Sequence, residues 1–160
     1  MSTAAELVAA LVSRGWTLGV AESLTGGALT AAVVSVPGAS QVLLGGVVAY
    51  ATPVKHSVLG VDAALLEARG PVDPDVAKQM ADGVRAAVAV DERPADVGLS
   101  TTGIAGPDSP DGQPVGTVHI GVATPAGTRT RAYLFRGDRS AVRAQSVDAA
   151  IELALSVLGE

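Results

Sequence analysis

The 160-residue sequence contains no cysteine, which excludes disulfides, thiolate nucleophiles and thiolate-bound metals. Aromatic residues make up only 2% of it, so its 48% of hydrophobic residues predict a core of small and branched aliphatic side chains. No apolar run approaches the roughly 20 residues that a membrane span needs, and the N-terminal segment around Glu6 lacks the basic region of a signal peptide. These features predict a cytoplasmic protein without membrane contact.

Positive charge is also scarce, with 11 Lys and Arg against 16 Asp and Glu and a net charge of −5. Because no basic run is present, the sequence has no electrostatic footprint for a polyphosphate, and we expect no nucleic-acid partner. His56 and His119 have no partners at the spacing of metal ligands, so we interpret both as structural or surface residues. No metal site is therefore predicted.

Helical and strand-like patterns alternate along the chain. Helices are predicted at 3–14, at 25–34, in short pieces within 54–69, after the Asp73-Pro74 N-cap and from Asp138 onward. Strands are predicted at 17–21, 42–50 and 95–100, followed by a hairpin of 115–124 and 129–135. The apolar strand at 42–50 is expected to be covered on both faces. This order predicts one domain, residues 1–160, folded as a three-layer α/β/α sandwich around a mixed, mostly parallel sheet of about five strands.

Ligands of such sheets usually bind at the carboxyl ends of the strands, which here are followed by the loops 22–27, 50–55 and 101–107. Ser23 lies in the first loop, where its hydroxyl could attack a carbonyl; alternatively, Ser23 or Thr25 simply caps the following helix. Tyr50 and Lys55 lie in the second loop. A lysine with a depressed pKa can serve as the base for a serine, although a solvated lysine at the edge of the sheet is the competing interpretation.

The third loop contains Thr102 and a glycine-rich run through Gly106, which is either a plain turn or a cradle for an anion or an oxyanion. It lacks the Lys-Ser/Thr of a phosphate-binding loop. Arg139 and Arg143 lie in the first turns of the last predicted helix, where the helix dipole disfavours cations. Either an anionic ligand or local pairing with Asp138 would offset that cost.

Taken together and in this order, the motifs resemble those of the CinA C-terminal-domain family, over nearly the whole chain. TGIAGP followed by PVGTV is the most specific part of the resemblance. The matching pieces are AESLTGG at 21–27, Tyr50 with Lys55, Gly70, TGIAGP at 102–107, PVGTV at 114–118 and GDR at 137–139.

Stand-alone members of that family include nicotinamide-nucleotide amidases. The resemblance therefore implies hydrolysis of the carboxamide of nicotinamide mononucleotide, giving nicotinic acid mononucleotide and ammonia through an acyl-enzyme, without metal or cofactor. It makes Ser23 the nucleophile and Lys55 its general base, with Tyr50 orienting or sharing in the proton transfer and Thr102 positioning the amide. Substrate binding is assigned to a further set: Thr25, Gly26, Gly103, Ile104, Ala105, Gly106 and, as a salt-bridging cation or an orienting residue, Arg139.

Three features depart from the family pattern. Leu24 stands where many relatives have cysteine, Ala51-Thr52-Pro53 follows the tyrosine where Ser-Asn is common, and Asp73 replaces a serine before the long helix. Pro53 restricts the path from Tyr50 to Lys55 because its φ is fixed. The alternative function is a non-catalytic nucleotide-binding or regulatory module, and a structural role in DNA uptake or damage is disfavoured by the acidic balance. A homodimer or higher homo-oligomer is expected.

Overall fold

A computed structural model, which describes residues 3–160, shows a five-stranded sheet with helices on both faces. Within that range, none of the helices combines the length and the apolar character needed to cross a bilayer. In chain order the elements are α1 (Thr3–Arg14), β1 (Leu18–Glu22), α2 (Ala28–Val34), a 3-10 turn (Ala39–Gln41), β2 (Leu43–Val48), α3 (Thr52–Ser57), α4 (Ala63–Arg69), α5 (Pro74–Ala87), β3 (Val97–Gly103), β4 (Thr117–Thr124), β5 (Gly127–Leu134) and α6 (Arg139–Leu158).

The strand order is β2-β1-β3-β4-β5. β1 pairs in parallel with both β2 and β3, whereas β4 pairs antiparallel with β3 and β5. Four strands therefore run in one direction and β4 alone runs in the other, which confirms the predicted mixed, mostly parallel sheet. In such a sheet, a functional site is expected at the edge where the carboxyl ends of β1 and β3 lie.

The core has two parts, one on each face of the sheet, as the three-layer prediction required. Leu7, Val20 and Ile151 belong to the larger cluster, between the sheet and the layer of α1, α2 and α6. Ala21 and Met80 belong to the smaller one, between the sheet and the layer of α3, α4 and α5. Because Val20 and Ala21 are neighbours in β1, the two faces of one strand supply both clusters.

Helix α5 packs directly against glycines of the sheet. A Cβ added at Gly98 would lie 1.9 Å from the carbonyl oxygen of Ala81, and one added at Gly121 would lie 2.6 Å from that of Ala77. The Ser100 hydroxyl donates to the same Ala77 carbonyl at 2.6 Å. Because Gly98 contacts Ala81 and Ser100 contacts Ala77, α5 runs antiparallel to β3. The helix therefore begins beside the carboxyl end of that strand.

Two local predictions were wrong. The strand predicted at 42–50 spans Leu43–Val48 and is not covered on both faces, because it lies at the edge of the sheet, where the helix layers cover it only in part; Val48 is 48% exposed. The helix predicted to begin at Thr25 begins at Ala28, because Gly26 and Gly27 take positive φ angles of 59° and 105° and form a turn instead.

The close approach of α5 predicts the effect of one methyl group. Gly98→Ala should lower the free energy of unfolding by about 3 kcal/mol, since main-chain atoms of α5 would have to move to admit the new Cβ. Denaturant unfolding measures the difference. Gly159→Ala is the control, because its Cβ would meet its nearest atoms at an ordinary 3.5 Å. Equal stability of the two variants would contradict the glycine-dependent packing.

Candidate functional site

A cavity of about 330 Å³ opens at the carboxyl ends of β1 and β3. Parts of all three predicted loops meet there, together with the start of α6 and the segment before α5. The residues that line it are Ser23, Leu24, Tyr50, Lys55, Pro71, Val72, Thr102, Gly103, Ile104, Ala105, Gly106, Asp108, Pro110, Asp111 and Arg139.

A serine and a lysine meet in the lining of this cavity. The Nζ atom of Lys55 lies 2.9 Å from the Oγ atom of Ser23. Lys55 is only 1% exposed and Ser23 7% exposed, so neither is a surface residue. The interpretation of Lys55 as a solvated lysine at the sheet edge is therefore wrong, although the strand before it does lie at that edge.

The hydroxyl of Ser23 is not used to cap α2. The N-cap residue is Gly27, which has no capping side chain, and the first turn is capped instead by the carboxylate of Glu22. That carboxylate accepts hydrogen bonds from the amides of Leu29 and Thr30, both at 2.9 Å. Because Glu22 satisfies these donors, the Ser23 hydroxyl remains available to Lys55.

The surroundings of the Lys55 amine suit both of its protonation states. Besides Ser23 Oγ, the amine faces the carbonyl oxygens of Ala49 at 2.8 Å and Tyr50 at 3.3 Å. A protonated amine has three N–H groups for these three oxygens. A neutral amine donates to the two carbonyls, which directs its lone pair toward Ser23 Oγ. Burial lowers the pKa of Lys55 to about 8, so the neutral form is accessible near neutral pH.

Tyr50 contributes to the lysine through its main chain rather than its hydroxyl. The side chain is 61% exposed, and its hydroxyl accepts a hydrogen bond from Arg139 at 3.1 Å. Arg139 also donates to the Gly106 carbonyl at 2.6 Å and so joins two walls of the cavity. Within residues 3–160, the Tyr50 hydroxyl forms no hydrogen bond with Ser23 or Lys55. The predicted proton transfer through this hydroxyl therefore has no direct path in the structure.

The two arginines of α6 do not pair with Asp138 within residues 3–160. Asp138 caps the helix, accepting from the Ala141 amide at 2.9 Å, as its N-cap prediction required. Arg143 donates to the carbonyls of Leu24 and Thr25 and thereby supports the turn that carries Ser23. Arg139, in contrast, lines the cavity.

The glycine-rich segment forms one wall. The Thr102 hydroxyl donates to the Pro71 carbonyl at 2.6 Å and so ties the end of β3 to the segment before α5. Ile104 is held by main-chain bonds to Thr117 and Gly116. The amides of the next two residues, Ala105 and Gly106, have no hydrogen-bond acceptor in residues 3–160, and both residues line the cavity.

Two predicted binding residues do not line the cavity. Thr25 is fully buried, and its hydroxyl shares a 2.8 Å hydrogen bond with that of Thr101. Gly26 is exposed in the turn outside the cavity lining. Their predicted contact with substrate is therefore not supported by their positions, and both serve the turn that presents Ser23.

Several residues of the site had no assignment from the sequence. Val72 and Asp111 line the cavity, and Gln113 joins them by donating to the Val72 carbonyl and to the Asp111 carboxylate. The run of Pro, Asp and Gly at 107–112 marks a loop but carries no sign that it closes on the segment before α5. Glu22, inside the first motif, was likewise given no role.

The two histidines lie apart from the cavity lining. His56 shares a hydrogen bond with the Val61 carbonyl at 2.7 Å. His119 is buried in β4, where burial lowers its pKa although the charge of Asp73 opposes that shift. Among residues 3–160, no three His, Asp or Glu side chains gather closely enough to hold a metal ion.

Comparison with known proteins identifies the family of the chain. A family model described as the CinA C-terminal domain matches residues 1–158. A CinA-like protein of Frankia casuarinae is 49% identical over 148 residues, which are 92% of this chain and 33% of that protein. A CinA-like protein of Anaeromyxobacter dehalogenans is 48% identical over 149 residues, 92% of this chain and 35% of that protein. The chain thus spans about a third of the length of these relatives.

Solved structures share the whole fold. A competence-damaged protein (CinA) superfamily protein from Klebsiella pneumoniae superposes with a TM-score of 0.90 at 32% identity, covering 99% of both chains. The competence/damage inducible protein CihA from Agrobacterium tumefaciens superposes with a TM-score of 0.85 at 29% identity, covering 100% of this chain and 98% of that one. The fold that residues 3–160 adopt is therefore shared over nearly the full length of both solved chains.

The buried lysine predicts a pH-dependent stability. Below pH 8 the amine is protonated in both the folded and the unfolded chain, and its burial disfavours the fold. Between pH 8 and its ordinary value of 10.5, the unfolded chain still binds a proton that the folded chain has released, so the free energy of unfolding rises with pH. Relative to Lys55→Met, wild-type stability should gain up to about 3 kcal/mol over that range.

Urea unfolding at a series of pH values measures this gain. Lys78→Met, which removes the other lysine of the sequence, on the exposed side of α5, is the matched control and should keep the wild-type pH dependence. A constant difference between wild type and Lys55→Met across pH 7–11 would show that the amine is not desolvated.

Proposed function

The chain belongs to the CinA C-terminal-domain family, and from that premise we propose that it is an amidase that hydrolyses the carboxamide of nicotinamide mononucleotide. The observation that carries the reaction type is the 2.9 Å contact between Ser23 Oγ and the buried Nζ of Lys55 at a cavity wall. The choice of substrate rests on the resemblance of the motifs at 21–27, 102–107 and 137–139 to those of nicotinamide-nucleotide amidases.

The first half of the proposed reaction forms an acyl-enzyme. Neutral Lys55 accepts the proton of Ser23 as Oγ attacks the amide carbon, and the carbonyl oxygen becomes an oxyanion. The amides of Ala105 and Gly106, which have no acceptor among residues 3–160, are the candidate donors to that oxyanion. Lys55, now an ammonium, then donates its proton to the amide nitrogen, and ammonia leaves.

The second half regenerates the serine. Neutral Lys55 takes a proton from a water molecule that attacks the ester carbon, and the same proton returns to Ser23 Oγ as the acid is released. Throughout both halves, the carbonyls of Ala49 and Tyr50 hold the amine in one orientation. They do by main-chain atoms what a third side chain does in a serine triad. These steps use only groups of this chain, water and substrate.

The cavity has the size and composition for a mononucleotide. About 330 Å³ falls within the range of small-molecule pockets, and Leu24, Val72 and Ile104 supply apolar surface for a pyridine ring. The Arg139 guanidinium lines the cavity and is the candidate partner of the phosphate. Asp108 and Asp111 also line the cavity and add negative charge to it, which favours a cationic ring over a neutral one.

Ammonia release from nicotinamide mononucleotide by the purified protein tests the proposal. Ser23→Ala and Lys55→Met should each lower kcat/KM by about 1,000-fold or more, since the nucleophile and its base act as a unit. Lys78→Met, at the exposed lysine of α5, should retain wild-type turnover. Tight binding of the nucleotide without ammonia release would contradict the amidase and support the nucleotide-binding module instead.

The role of Arg139 can be tested with two substrates. Arg139→Met should raise KM for nicotinamide mononucleotide by about 10- to 100-fold, the value of one charge-assisted contact. For the riboside, which lacks the phosphate, the same substitution should raise KM far less. Arg136→Met, at an exposed arginine before α6, is the control. An equal rise in KM for both substrates would mean that Arg139 acts through its contacts with Tyr50 and Gly106 rather than on the phosphate.

A further inference from the structure

One fully buried carboxylate, that of Glu22, lies next to the nucleophile and takes no part in the steps above. Its partners are three donors at the start of α2: the Leu29 amide at 2.9 Å, the Thr30 amide at 2.9 Å and the Thr30 hydroxyl at 2.6 Å. A buried charge of this kind persists only where hydrogen bonds compensate its desolvation. The carboxylate is therefore held in one position by the helix.

This anchor closes the turn that carries Ser23. Glu22 is the last residue of β1, and its carboxylate reaches over the turn to the first residues of α2. Within the turn, the Ser23 amide donates to the Thr101 carbonyl at 3.1 Å, and the Ser23 carbonyl accepts from the Gly26 amide at 3.1 Å. The path from strand to helix is thus fixed at both ends and in the middle.

The same residue also bears on the base. The main-chain carbonyl of Glu22 accepts a hydrogen bond from the Ala49 amide at 2.8 Å. The Ala49 carbonyl in turn accepts from Lys55 Nζ at 2.8 Å. Glu22 therefore adjoins Ser23 through a peptide bond and Lys55 through a chain of two hydrogen bonds.

We propose that Glu22 is a positioning residue that sets the distance between Ser23 Oγ and Lys55 Nζ. The inference rests on the proposed function, because the distance matters only if the pair transfers a proton. Glu22 touches neither substrate nor the reacting atoms, so it acts through Ser23 and Ala49.

Glu22→Gln tests this role with little change in volume. The new amide group brings N–H donors to a place where Thr30 also donates, so the turn must shift. We expect kcat for nicotinamide mononucleotide to fall by about 100-fold with KM changed less than about twofold, as for a displacement of the nucleophile by about 1 Å. Val8→Ala, which trims a buried side chain of α1 outside the cavity lining, supplies a control with lowered Tm and an intact site.

A second measurement does not depend on the substrate. An aryl fluorophosphonate transfers its phosphonyl group to an activated serine: the Oγ–P bond forms, the P–F bond breaks, fluoride leaves and Lys55 takes the proton. The rate of labelling at Ser23, located by mass spectrometry, should fall in Glu22→Gln by a factor similar to that of kcat and stay near wild type in Val8→Ala.

The outcomes separate the two proposals. Labelling of the wild type without ammonia release would reject the proposed substrate, while the labelling rates would still test Glu22. If Glu22→Gln has a Tm lowered as much as that of Val8→Ala but keeps the wild-type labelling rate, the positioning role is overturned. A wild-type protein that is never labelled at Ser23 would overturn it as well. Should Glu22→Gln fail to fold, Thr30→Val removes the hydroxyl donor alone, and an unchanged labelling rate there would overturn the role equally.

Discussion

A lysine amine buried beside a serine hydroxyl is stable only where nearby oxygens replace the water it has lost. Lys55 finds those oxygens in Ser23 and in two consecutive carbonyls, Ala49 and Tyr50, just past the end of β2. The carbonyls carry no charge, so they hold the amine without restoring its pKa to the ordinary value. The site thus keeps a desolvated base in a fixed direction, and the proposed chemistry depends on both properties.

The rest of the fold brings the serine to that amine. β1 lies between β2 and β3, so its carboxyl end is held from both sides, and Ser23 follows directly. The Thr102 hydroxyl at the end of β3 donates to the Pro71 carbonyl, and Arg139, in the cavity lining, donates to both the Gly106 carbonyl and the Tyr50 hydroxyl. Helix α5 packs closely on Gly98 of β3, and the segment before α5 lines the cavity. These side-chain contacts join segments that are distant in sequence, and together they shape one cavity.

The sequence predicted those features that depend on short patterns. Asp73-Pro74 and the four-residue repeat after it identify α5, and the loops after apolar strands predict where Ser23 and Lys55 meet, because strand ends share an edge in a parallel sheet. It failed where the outcome depends on strand order. β2 is apolar enough for a central strand but occupies the edge, and Thr25 is buried because β3 places Thr101 beside it. The capping role of Glu22 could not be predicted because it depends on where α2 begins. Gly26 and Gly27 delay the helix to Ala28, and its first N–H donors then face the end of β1.

The edge position of β2 has a consequence for how the site responds to thermal fluctuation. Ser23 extends from a strand with neighbours on both sides, whereas the carbonyls that hold Lys55 follow a strand bonded along one side only. Edge strands fray at a smaller energetic cost than central ones. Brief detachment of β2 would let water reach the amine and restore its affinity for protons while the remaining four strands stayed paired. The desolvation of the Lys55 amine therefore depends on the pairing of an edge strand with β1, and hydrogen exchange at the amides of Ala49 and Val47 reports on that pairing more directly than global melting does.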